Sequence, residues 1–115
     1  MESARLELRQ AKDNGTGIVV TTLNGKLSLE TVNSFLQTMR QAQAKHVALD
    51  MSGVSFLDSA GVGALVSLFI TRKQAGKTLA LANLTKQAMA VLQLSGILKL
   101  IPNYPTVEAA VNARE

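Results

Sequence analysis

Cysteine is absent from the 115 residues, which excludes disulfides, zinc knuckles, iron–sulfur ligation and thiol chemistry. Tryptophan is absent too, and one tyrosine with three phenylalanines brings the aromatics to only 3%. Platforms that stack single-stranded bases need more rings than that. The longest uncharged stretch in the apolar middle, residues 59–71, is short against the ~20 residues of a spanning helix. No basic, then apolar, then small-residue succession follows Met1, so no secretory signal is read. Acid is missing from one long segment: no Asp or Glu stands between Ser59 and Val107.

The chain does hold apolar material, 47% of its residues, and with few rings its core must be aliphatic. At this length one domain is expected, hiding roughly two thirds of the extended chain's surface. The formal net charge is +4. Arg72, Lys73, Lys77, Lys86 and Lys99 fall in the acid-free segment but share no predicted face, so they read as ordinary surface solvation.

Residues 5–10 alternate, with Leu6 and Leu8 on one side, as a half-buried strand does. Asp13-Asn14-Gly15 then reads as a hairpin turn, and residues 17–23 as a second strand ended by Asn24-Gly25. Ser28 is placed as a helix cap with Glu30 in the first turn, ahead of the stripe Leu29, Val32, Phe35, Leu36 and Met39. A strand over 46–51 leads through a turn-rich connector, residues 52–58, to a helix marked by Val62, Leu65, Val66 and Phe69 and stopped at Gly76. Residues 78–82 form a buried strand and Thr85 starts a third helix. A brief strand over 98–101 follows, and Thr106 and Glu108 open a last helix. The order is ββαβαβαβα: a mainly parallel, mixed α/β sheet of about five strands, with four helices largely on one face.

Three motifs fail on their context. Gly76-Lys77-Thr78 lacks the upstream glycine of a phosphate loop, and it leaves a helix for a strand instead of the reverse. Gly61-Val62-Gly63 has Val66 at the third fingerprint position and no acid to hold a ribose. His46 opens a strand whose far end lies over ~15 Å away, at ~3.3 Å per residue, so it cannot serve Ser59 as a base. It reads as a surface histidine. No metal site, catalytic residue or cofactor site is expected.

Leu57-Asp58-Ser59-Ala60-Gly61-Val62-Gly63 is what remains. Asp58 is a good N-cap, which puts Ser59 in the first turn beside free N–H groups and the positive end of the dipole. Gly61 and Gly63 each cost roughly 1 kcal/mol against alanine in a helix. Either the helix lies close on the sheet there, or a partner's backbone approaches. Ser59 is open to two readings as well: a plain helix start, or an acceptor whose phosphate the helix terminus would hold.

The stretch Asp50-Met51-Ser52-Gly53-Val54-Ser55-Phe56-Leu57-Asp58-Ser59-Ala60-Gly61-Val62-Gly63-Ala64-Leu65 resembles the signature of STAS domains, the anti-sigma factor antagonists of bacteria. The likeness extends to strand order, to Asn24-Gly25 before the first helix, to Gly76, and to Leu94-Ser95-Gly96-Ile97 after the third helix. It departs from the family at Ala60, where a second hydroxyl is common, and in its basic charge. The resemblance implies a small cytoplasmic switch protein without catalysis of its own. Unphosphorylated, it would bind an anti-sigma factor with serine kinase activity and free a sigma factor; phosphorylation of Ser59 would end that, and a serine phosphatase would reset it. ATP and Mg²⁺ would belong to the kinase. It further implies a partner-binding face of Asp58, Ala60, Gly61 and Val62, an Asn24-Gly25-Lys26 loop, and Asn83. A monomer or weak homodimer is expected, with no nucleic acid or membrane bound directly. The alternative it implies is an accessory subunit of a membrane lipid-transport ATPase complex.

Overall fold

The computed structural model describes residues 5–11 and 15–113. The elements run β1 (Leu6–Gln10), β2 (Ile18–Leu27), α1 (Val32–Arg40), β3 (His46–Leu57), α2 (Ser59–Gln74), β4 (Thr78–Ala82), α3 (Lys86–Leu94), a 3-10 turn (Ile97–Lys99), β5 (Asn103–Tyr104) and α4 (Val107–Asn112). This is the expected order. Of the hairpin turn, Asp13 and Asn14 lie outside the described residues.

One sheet holds all five strands in the order β1-β2-β3-β4-β5. β1 pairs antiparallel with β2, and every later pair is parallel. Parallel neighbours need a crossover, and α1, α2 and α3 supply the three. Each crossover steps the same way along the sheet, so a single handedness puts all three helices on one face. Phe35, Met39, Leu65, Leu68 and Leu92 from those helices meet Leu23, Val47, Leu49, Leu79 and Leu81 in the main core. The other face of the central strands is paved with Ala48, Ala80 and Ala82, and α4 seats Ala110 on these small side chains.

Several expectations need correction. β2 does not stop at Asn24-Gly25. It runs on to Leu27, with register shifts against β3 on either side of these residues. The glycine marks a close approach: Gly25 has φ +123°, and a Cβ there would lie 3.1 Å from Leu6 Cα. Nor is 52–58 a connector. β3 continues to Leu57, burying Val54 and Leu57. Asn24-Gly25-Lys26 is therefore part of a strand, not a loop.

Ser28 does not cap α1. The hydroxyl of Thr31 accepts from Ser28 N–H at 3.0 Å and donates to Lys26 O at 2.8 Å, forming a separate turn before the helix starts. Glu30 and Leu29 sit in that turn, and Leu29 is 73% exposed instead of joining the apolar stripe. The strand expected over 98–101 is a 3-10 turn instead, set off by Gly96 at φ +74°. β5 starts after Pro102, whose carbonyl accepts from Leu81 N–H.

His46 is buried, not on the surface. Arg72 is likewise buried and turns inward: Nε donates to Thr78 O at 3.0 Å and Nη2 to Ala44 O at 2.7 Å. It clamps the end of α2 to the starts of β3 and β4. Burial lowers its pKa, but the bonded carbonyls give its charge a polar cradle.

Candidate functional site

The site grows from the junction of β3 and α2. Asp58 is extended, at ψ −176°, and caps α2: Oδ1 accepts from Gly61 N–H at 2.9 Å. Its other oxygen, Oδ2, accepts from Leu29 N–H at 3.1 Å, and its own N–H donates to Leu27 O. Both carboxylate oxygens are thus spent inside the fold. Ser59, at the first helical position, is left exposed, and its hydroxyl makes no such bond among the described residues. Leu57 is pinned in turn by Gln87 of α3, which donates to Leu57 O at 2.8 Å and accepts from Leu57 N–H at 2.9 Å.

The two glycines separate. A Cβ on Gly61 would collide with Leu27 O and lie 2.6 Å from Leu57 Cδ1, so this glycine lets helix and sheet touch. Gly63 is exposed, and a Cβ there would meet nothing within 4 Å. Internal packing accounts for the first and gives no reason for the second.

Large apolar side chains are exposed on the segments that meet at this junction. Leu29 is 73% exposed, Leu94 90% and Phe56 43%. Ser59, Val62, Val91, Leu94 and Ser95 line a shallow groove of about 360 Å³ between α2 and α3. Sequence reasoning flagged Gly63 but missed the exposure of Leu29, Phe56 and Leu94. Only Leu94, directly before Ser95-Gly96, stood beside a visible signal, the end of a helix.

The chain matches the STAS domain family over residues 9–110. It belongs to that family. A curated relative, an anti-sigma F factor antagonist from Paenibacillus polymyxa, is 24% identical over 103 residues, covering 86% of this chain and 88% of the relative. Among solved structures, an anti-sigma factor antagonist from Mycobacterium paratuberculosis superposes with a TM-score of 0.85 at 19% identity, over 96% of this chain and 94% of the other. The Bacillus cell fate determinant SpoIIAA in its phosphorylated form does so with 0.69 at 20% identity, over 94% and 100%.

The residues expected to face a partner in this STAS domain are only partly gathered at Ser59. Ala60 is half-buried, while Gly61 is buried and Val62 belongs largely to the core. Lys26 is exposed and stands opposite Phe56 in the β2–β3 register; Asn24 and Gly25 stand farther back, opposite Gly53 and Val54. Asn83, at φ 56°, is tied elsewhere: its Nδ2 donates to Asp50 Oδ1 at 3.2 Å. Burial raises the Asp50 carboxyl pKa, but bonds from Ser52 N–H, the Ser52 hydroxyl and Asn83 outweigh that and hold it below the usual value. Among the described residues no cluster of His, Asp and Glu could hold a metal, and no helix is long and apolar enough to cross a membrane.

Proposed function

We propose that this STAS domain is an anti-sigma factor antagonist, switched at Ser59. In its unphosphorylated state it docks on an anti-sigma factor through the Ser59 end, and the sigma factor is released. The observation that supports this most is the serine itself: an exposed residue at a helix start, sharing an apolar groove with exposed Leu94, with its acidic neighbour turned into the fold.

The chemistry belongs to the partner. Ser59 Oγ attacks the γ-phosphorus of ATP, the bond to the ADP oxygen breaks, and a base of the kinase takes the hydroxyl proton. The product carries nearly two negative charges in a mostly apolar surface, where an unpaired charge is costly to bury. The N–H groups of Ser59 and Ala60 have no partner within the helix and lie near the phosphate, so the fold tolerates it while the interface does not. A phosphatase hydrolyses the ester and restores binding.

Capture from a lysate of the source organism, followed by incubation with ATP, tests the reading. Intact-mass analysis is expected to show one added phosphate on the wild type and none on Ser59→Ala. A phosphate retained by Ser59→Ala, or recovery of a transporter ATPase in place of a serine kinase, would overturn it.

A further inference from the structure

We propose a second site at the far end of α2 from Ser59, binding a small organic anion with an apolar body and one carboxylate or phosphate head. A cavity of about 280 Å³ lies between the last turns of α2, the start of β4 and the segment that follows the 3-10 turn. Phe69, Leu79 and Leu100 give it apolar walls, and Leu100 is left 44% exposed at the rim. Lys73 and Lys77 supply its charge. The volume sits at the small end for ligand pockets, which are mostly apolar with a few placed polar groups.

One wall is rigid. His46 is 3% exposed, and both ring nitrogens are engaged. Nε2 lies 2.9 Å from Ala110 O, which can only accept, so Nε2 carries a hydrogen. Nδ1 lies 2.6 Å from Thr78 Oγ1, whose hydroxyl also donates to Lys45 O at 3.3 Å. The histidine locks β3, β4 and α4 together and offers the cavity no donor. Recognition of a ligand falls to the two lysines.

Lysines near a helix C-terminus often do no more than complement its dipole. That role covers Lys73, which shares the last turn with Arg72, but not Lys77, which lies beyond the helix. The Lys73 ammonium stands 5.9 Å from the Phe69 ring centroid, at an aromatic wall of the cavity. Among the described residues, no acidic side chain lines the cavity and neither lysine is ion-paired. Two uncompensated ammonium groups beside an apolar hollow favour a ligand that is negative at one end and greasy at the other.

The full chain, labelled for amide chemical shifts, is titrated with hexanoate, hexyl phosphate and the neutral hexanamide. At least one anion is expected to shift Phe69, Lys77, Thr78 and Leu79 saturably and to bind about tenfold tighter than the amide, or ~1.4 kcal/mol. The tighter anion identifies the head group. Lys73→Gln/Lys77→Gln, or Lys77→Gln alone should the double variant misfold, is expected to lose that preference. Equal binding of the amide, shifts that do not saturate, a preference that survives loss of the lysines, or shifts confined to Ser59 and Leu94 would each overturn the site. None of these outcomes bears on phosphorylation of Ser59.

Discussion

Oδ2 of Asp58 accepts the N–H of Leu29 at 3.1 Å, joining residues 29 positions apart in sequence. The same carboxylate caps α2 through Gly61. One side chain therefore sets both the start of the helix and the turn that holds Leu29 out beside Ser59. The exposure of Leu29 and the accessibility of Ser59 share a cause.

Asp58→Ala is expected to lower stability by about 2 kcal/mol, since loss of a cap costs ~0.5–2 kcal/mol and the Leu29 N–H also loses its partner. Ser59→Ala removes an exposed hydroxyl and is expected to stay within ~0.5 kcal/mol of the wild type. Urea midpoints of the two variants check the order; the reverse order would move the cap to Ser59.

The two glycines of α2 should respond in opposite directions. Gly63→Ala gains helix propensity of roughly 1 kcal/mol, with no atom in its way. Gly61→Ala forces a methyl into Leu27 O and Leu57, and overpacking of that kind costs about 1–3 kcal/mol. Thermal melts read both. If Gly63→Ala stabilises the free protein yet weakens partner binding, the partner's backbone approaches at Gly63.

Much of this was legible from residue pattern. Alternation marked β1, short apolar runs marked the inner strands, and Asp58, Thr85 and Thr106 announced three helix starts because each side chain accepts a bond three residues on. The failures came where one residue type serves two geometries. Asn24-Gly25 and Ser52-Gly53 look like turns, but these glycines let strands run close: a Cβ on Gly53 would lie 2.6 Å from Leu23 O. His46 and Arg72 read as surface residues because their partners are backbone carbonyls far away in sequence, which no local pattern displays. The exposure of Leu29 was hidden for the same reason. Leu29 fits a helical stripe by spacing, but the bonds of Thr31 and Asp58 hold it in a turn outside the helix.

Asp50 gives the fold a pH dependence of definite sign. Its folded-state pKa is lowered, so its contribution is present above the ordinary aspartate pKa, about 3.9, and is lost as pH falls through the folded value. Asp50→Asn is expected to flatten the urea midpoint against pH below about pH 4, where the wild type loses stability. An unchanged slope in the variant would show that other carboxyls carry the acid sensitivity.

Regulated docking at Ser59 turns on one calorimetric titration, of the recovered anti-sigma factor into wild type, Ser59→Ala and Ser59→Asp. Ser59→Ala should bind close to wild type, because it leaves the surface small and uncharged. Ser59→Asp should bind about a hundredfold more weakly, ~2.7 kcal/mol, as the price of one buried unpaired charge. Equal affinity for all three proteins would contradict the switch and place the interface elsewhere on the fold.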